Sequence, residues 1–154
     1  MKKLFLISIS ISFLFFSCAT YKNVKQQEKI IKGNWTLTKI TYSKTGKYNV
    51  TLFKDALAGC FIGSNWKFVP NNNTGVYSIN DINCNSGERN FVFVIQEIDT
   101  ASGYYDFLLK PDNNENNVGF RVSLKELNET FMQWQQNLII DGEPFLINLN
   151  FIKK

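Results

Sequence analysis

The sequence predicts an all-β domain: an eight-stranded antiparallel up-and-down barrel with a long lid loop after the first strand. Aromatic residues, which favour strands, are abundant, with 14 Phe, 6 Tyr and 3 Trp. From Gly33 onward, short segments with period-two alternation follow one another, separated by turn signals such as Asp141-Gly142. An open two-sheet sandwich is the rival architecture, but a closed barrel removes exposed strand edges.

Eight segments have the length and composition of strands. Most carry apolar residues at alternate positions, which indicates one buried face and one wet face. Segment 90–98 is apolar on both faces, so its register stays open. The first strand changes face between Leu37 and Ile40, which predicts a β-bulge near Lys39. The predicted strands are 33–43, 64–70, 75–82, 90–98, 104–110, 119–126, 130–139 and 144–152.

The N-terminal segment has the layout of a secretory signal. Met1-Lys2-Lys3 is basic, and the apolar run 4–16 is too short to span a bilayer. Phe16-Ser17-Cys18 resembles a bacterial lipobox, in which the cysteine becomes the first mature residue and carries acyl chains such as palmitate, a nearly permanent anchor. A plain signal with an incidental cysteine is the alternative. The expected division is a signal peptide over 1–17, a lipid anchor and tether over 18–31, and a barrel domain over 32–154.

Three cysteines are an odd number for an exported protein. With Cys18 assigned to the lipid, Cys60 and Cys84 can pair, and an oxidising compartment favours the bond. The bond would close a loop of about 25 residues, worth on the order of 3.5 kcal/mol in the chain-entropy model. A metal site is the weaker interpretation, because two cysteines fall short of a tetrahedral site and the chain contains no histidine.

Composition argues against several functional classes. Without Lys2 and Lys3 the chain has 15 basic and 13 acidic residues, scattered and with only two arginines, which does not indicate nucleic-acid binding. The lack of histidine removes Ser–His, Cys–His and His–metal arrangements, and no Gly-rich phosphate loop is present. We therefore expect no enzyme, no cofactor and no metal. The carboxylates that fit turns or solvent-facing positions include Asp55, Asp81, Asp106 and Asp141.

The first predicted strand opens with "KGNWTLT", residues 32–38. Gly33-x-Trp35 at the start of an eight-stranded meander resembles the lipocalin signature. The likeness is strongest to the short lipocalin-like lipoproteins of Bacteroidetes-type bacteria and covers residues 33 to 154. It implies a calyx that is closed at the Gly33 end and open at the other. Two features of the family pattern are missing: a Thr-Asp-Tyr segment between the late strands, and an arginine in the last strand to cover Trp35.

The loop from Lys44 to Gly63 would be the lid over the open mouth, and loops this long in a compact domain are often functional. Within it, "YNVTLF" suggests a short extra strand and "KDALAGCF" one helical turn. In an up-and-down trace, the lid with Cys60 and the loop with Cys84 lie at the same end of the barrel. The trace comes from turns and periodicity, so it supports the disulfide independently.

Two functional classes follow. The first is a monomeric lipoprotein that binds a small apolar molecule, such as a fatty acid, an isoprenoid or a pigment. It would face the periplasm from the outer membrane, since no acidic run resembling a surface-export signal follows Cys18. The second is a structural or protein-interaction lipoprotein whose barrel is filled by its own side chains; eight strands allow either. The residues expected to line a ligand site are Tyr42, Phe61, Trp66, Ile79, Phe91 or Phe93, Phe107, Phe120, Leu138 and Phe145.

Overall fold

Eight strands form a closed antiparallel barrel in the computed structural model, which describes residues 17–99, 104–112 and 118–154. The first strand closes the barrel by pairing with both the last strand and the next barrel strand along the chain. The predicted fold class is therefore confirmed. The barrel strands are β1 (Gly33–Tyr42), β4 (Asn65–Val69), β5 (Thr74–Ile79), β6 (Gly87–Asp99), β7 (Tyr104–Pro111), β8 (Phe120–Leu127), β9 (Phe131–Ile140) and β10 (Glu143–Lys153).

A helix, α1 (Ser17–Ile31), covers the end of the barrel at which β1 begins. It packs against β6, β8 and the 3-10 turn Pro70–Asn72. Ile31 is fully buried, and its carbonyl accepts a hydrogen bond of 2.7 Å from Trp35 Nε1. The segment expected to be a tether is therefore a helix whose C-terminal end belongs to the core.

The expected signal peptide lies outside the described residues except for Ser17. Cys18, the expected lipidation site, lies in the first turn of α1. Over the part of the chain that the structure describes, no helix has the length and apolar character needed to cross a membrane.

Lys153 covers Trp35 at the closed end of the barrel. The two residues are paired across β1 and β10, and Lys153 Nζ lies 5.2 Å from the centroid of the indole. This distance is within the range of cation–π attraction. The same ammonium group donates a hydrogen bond of 2.6 Å to the carbonyl of Ile30. A lysine of the last strand thus covers the ring of Trp35.

The lid segment, residues 44–63, contains the remaining elements: β2 (Thr51–Leu52), β3 (Ala56–Leu57) and the short helix α2 (Ala58–Phe61). β2 and β3 pair with each other in a two-stranded sheet separate from the barrel. Phe53 and Lys54 both have positive φ, and the Asp55 amide donates to the Leu52 carbonyl. This is the geometry of a type I′ turn.

The register of the barrel places apolar side chains inside. β1 shifts register against β10 between Leu37 and Lys39, so the predicted bulge is present. As a result Leu37 is buried and Ile40 also packs against the core. In β6, the strand with an ambiguous register, the buried residues are Phe91, Phe93 and Ile95, whereas Val92 and Val94 are exposed.

Aromatic rings from distant strands meet inside the barrel. The ring centroids of Trp66 on β4 and Trp134 on β9 are 5.6 Å apart, and those of Phe68 on β4 and Phe107 on β7 are 6.0 Å apart. In both pairs the strands are three places apart around the barrel, so the contacts cross its interior. The middle of the barrel is therefore filled by its own side chains.

Candidate functional site

The ten residues expected to line a ligand site belong to one core cluster, but they differ in burial. Three of them, which are only partly buried and lie toward the mouth, are Tyr42, Phe120 and Leu138. The other seven, each at most 2% exposed, are Phe61, Trp66, Ile79, Phe91, Phe93, Phe107 and Phe145. Only the first three, which we call the mouth group, are within reach of solvent.

Two rings of the lid segment close the mouth. Phe53, from the turn between β2 and β3, is 2% exposed, and its ring centroid lies 6.0 Å from Trp66 and 5.7 Å from Phe120. Tyr48 lies 4.7 Å from Phe145 on the other side of the mouth. Because β2 and β3 form their own sheet, this hairpin shares no strand pair with the barrel.

A buried ion pair fastens the lid segment to the rim of the barrel. Arg89 Nε on β6 lies 3.0 Å from Asp55 Oδ2 in the lid hairpin, and each side chain is only 7% exposed. Arg89 also donates from Nη1 to the Gly87 carbonyl at 2.7 Å and from Nη2 to the Asn85 carbonyl. Asp55 is a turn residue, as expected, but it is buried, and its partner could not be identified from the sequence.

Tyr77 completes this polar cluster. Its hydroxyl donates a hydrogen bond of 2.8 Å to Asp55 Oδ2. Burial of the hydroxyl, together with this bond and the nearby carboxylate, raises the pKa of Tyr77 well above its ordinary value. Tyr77 therefore stays a protonated donor at physiological pH, and Asp55 bridges a tyrosine and an arginine of the barrel wall.

A disulfide fastens the lid segment at a second point. Cys60 of α2 bonds to Cys84, which lies in the loop between β5 and β6, with an S–S distance of 1.99 Å and a Cα–Cα distance of 5.9 Å. The expected pairing is confirmed, and both cysteines lie at the mouth as the trace predicted. The lid is thus held by a covalent bond, an ion pair and aromatic contacts.

Two polar atoms on β9 are buried without a hydrogen-bond partner among the described residues: Trp134 Nε1 and Gln136 Oε1. The indole nitrogens of Trp35 and Trp66, by contrast, both donate to an oxygen atom. Side chains two residues apart on a strand share a face, so Gln136 points inward beside Trp134. Sequence reasoning missed this glutamine, although its place between Trp134 and Leu138 in the period-two pattern marks it as inward.

Among the clefts formed by the described residues are three with volumes of about 440, 400 and 250 Å³. The first lies beside Arg89 on the rim, the second on the outer wall over β4 and β5, and the third between α1 and Pro70. Polar and charged residues form most of their walls. Of the ten expected lining residues only Trp66 borders one of these clefts, so none of the three is the expected calyx.

The described ranges hold no group of three or more Cys, Asp or Glu side chains that could bind a metal ion.

In comparisons with known proteins, no protein-family model matches the chain, and no curated protein matches it either.

Proposed function

We propose that the protein is a lipid-anchored protein of the bacterial cell envelope that binds a small apolar molecule in the mouth half of its barrel, beneath the lid segment. One observation carries the binding proposal. Two members of the partly buried mouth group, Phe120 and Tyr42, lie against Phe53 and Tyr48, two rings from a segment outside the barrel sheet. The resemblance of Gly33-x-Trp35 to the lipocalin signature adds support.

A ligand in this place would take over contacts that the lid now makes. When Phe53 leaves the mouth, apolar surface of Trp66 and Phe120 is exposed, and an apolar molecule buries it again. Such sites bind by area and shape, at about 25 cal/mol per Å² before ordering costs. Burial of a few hundred Å² is then enough for roughly micromolar affinity.

A second candidate function is an interaction lipoprotein with a filled barrel. The ring contacts that cross the barrel favour it, because Trp66, Phe107 and Trp134 already occupy the centre. In that case a partner protein binds to the outer wall and the rim of the barrel, and the lid segment is a permanent part of the core. Both candidates keep the anchor at Cys18 and the placement of the barrel on the periplasmic side of the outer membrane.

Ligand binding should change the emission of a tryptophan placed in the mouth more strongly than that of one placed in the packed half. Phe120→Trp puts the reporter beside Phe53, whereas Phe107→Trp puts it against Phe93, 5.1 Å away in the filled centre. We expect fatty acids or isoprenoids, titrated into delipidated protein, to shift the Phe120→Trp emission relative to wild type. Phe107→Trp serves as the matched control. If neither variant responds to any ligand, the second candidate replaces the first.

Substitution of the lipidation site should prevent maturation of the protein into an acylated lipoprotein. In Cys18→Ala the acylated residue is lost, so we expect an unprocessed precursor that no longer fractionates as a mature lipoprotein with the detergent-extracted membrane. Cell fractionation with intact-mass measurement tests this. The variant Cys60→Ala/Cys84→Ala is the control, because it removes the other two cysteines and should stay anchored. Normal processing of Cys18→Ala at another site would contradict the anchor.

A further inference from the structure

We propose that the ligand is a neutral apolar molecule with a hydroxyl group, and that Trp134 and Gln136 hold this hydroxyl inside the barrel. The inference rests on the proposed function and names the chemical class of its ligand. A hydroxyl oxygen accepts one hydrogen bond and donates another. It can therefore accept from Trp134 Nε1 and donate to Gln136 Oε1, two buried atoms to which the described residues offer no partner.

Buried polar atoms without a hydrogen-bond partner are unusual, and a ligand atom could supply the partner here. More than nine in ten buried polar groups in proteins are hydrogen-bonded, and a buried group without a partner is costly. The barrel satisfies its other two tryptophans: Trp35 Nε1 donates to a carbonyl at 2.7 Å, and Trp66 Nε1 donates to Ser64 Oγ at 2.8 Å. Trp134 is fully buried, yet its nitrogen has no hydrogen-bond partner in the part of the chain that the structure describes.

The position of the pair explains how a ligand would lie. Successive inward positions of β9 are Trp134, Gln136 and Leu138, about 7 Å apart from one to the next, and they lead from the packed centre to the mouth. Across the β9–β10 pairing, Trp134 and Gln136 face Leu149 and Ile147, which offer only aliphatic side chains. The hydroxyl end would therefore enter first, with the apolar body beside Leu138.

The surroundings favour a neutral group over a charged one. A carboxylate at this depth would need a counter-charge, because an isolated buried charge is strongly unfavourable. Arg89, the buried cation near the mouth, is already paired with Asp55 at 3.0 Å. An ether or ester oxygen could accept from Trp134 but would leave Gln136 unpaired. A hydroxyl group satisfies both atoms without adding charge.

Three probes of similar size separate these cases: decanol, its isomer methyl nonyl ether, and decanoic acid. We expect decanol to bind wild-type protein about tenfold more tightly than the ether, the effect of one buried hydrogen bond. Gln136→Met removes the acceptor at similar volume and should abolish this preference, with Gln136→Leu as a second variant. Gln135→Met is the matched control on the outer face, where Gln135 bonds to Asn148, and should keep the preference.

The variants also differ without ligand. Gln136→Met removes an unpaired buried acceptor and should not lower the melting temperature, whereas Gln135→Met breaks a hydrogen bond and should lower it slightly. Equal binding of decanol and the ether by wild type, or a preference that survives in Gln136→Met, would overturn the inference while leaving the proposed function intact. Tighter binding of decanoic acid would also overturn it. Binding of none of the probes would instead contradict the proposed function itself.

Discussion

Asp55→Asn is expected to lower the free energy of unfolding by about 3–5 kcal/mol, the usual cost of breaking a buried ion pair by removing one partner. The substitution keeps the shape of the side chain but leaves the charge of Arg89 buried without a counter-charge. It also weakens the hydrogen bond that Asp55 accepts from Tyr77. Urea unfolding followed by tryptophan fluorescence measures the change.

Asp106→Asn is the matched control. Asp106 is as buried as Asp55, with 8% of its side chain exposed, and it also pairs with an arginine, at 3.2 Å. Its partner Arg121, however, is 67% exposed and stays solvated when the carboxylate is removed. We expect this variant to lose no more than about 1 kcal/mol. Equal losses in the two variants would show that burial of the arginine does not determine the loss of unfolding free energy. Asp55 would then not fasten the lid segment through a buried charge.

Most of the barrel could be predicted from the sequence, because the signals that mark a strand lie within the strand and the turns beside it. Most strands are marked by period-two alternation and bounded by turn residues, and the observed and predicted strands differ by three residues or fewer at each end. The β1 bulge could be predicted too, because a strand that changes face partway along its length must contain one extra residue. Helix α1 is harder to predict. Over its residues 23–31 only Ile31 is fully buried and Val24 packs partly buried against the core, so these residues show no clear apolar period.

The contacts that hold the lid segment to the barrel could not be predicted, because they join residues that are far apart in the sequence. Phe53 stands in a turn with φ of 54°, a conformation that bulky residues rarely adopt, and only contacts with the barrel account for an aromatic residue there. Arg89 precedes the predicted strand 90–98, although it has the same parity as Phe91 and Phe93. At such a position the side chain points inward, and its charge requires a buried partner. The period-two pattern does not show that this partner is Asp55.

Gly75→Ala is expected to destabilise the protein by about 3 kcal/mol or more, because the added methyl group has no room. A Cβ at this position would lie 2.2 Å from Cζ of Phe91 and 2.6 Å from the carbonyl oxygen of Lys67. The ring could shift, but the carbonyl is backbone within the β4–β5 ladder. Gly75 is paired with Phe68 on one side and Phe91 on the other, so the glycine makes the space in which the Phe91 ring lies. Urea unfolding measures the loss.

Two further variants test whether lack of space around Gly75 causes the loss of stability in Gly75→Ala. Gly59→Ala, where a Cβ meets no atom within 4 Å, should be close to neutral and controls for the substitution itself. Gly75→Ala combined with Phe91→Leu should recover only part of the loss, because the contact with the Lys67 carbonyl remains. A tolerated Gly75→Ala would mean that the Phe91 ring can move into free space. The deep half of the barrel would then be open to a ligand, and binding would not be confined to the mouth.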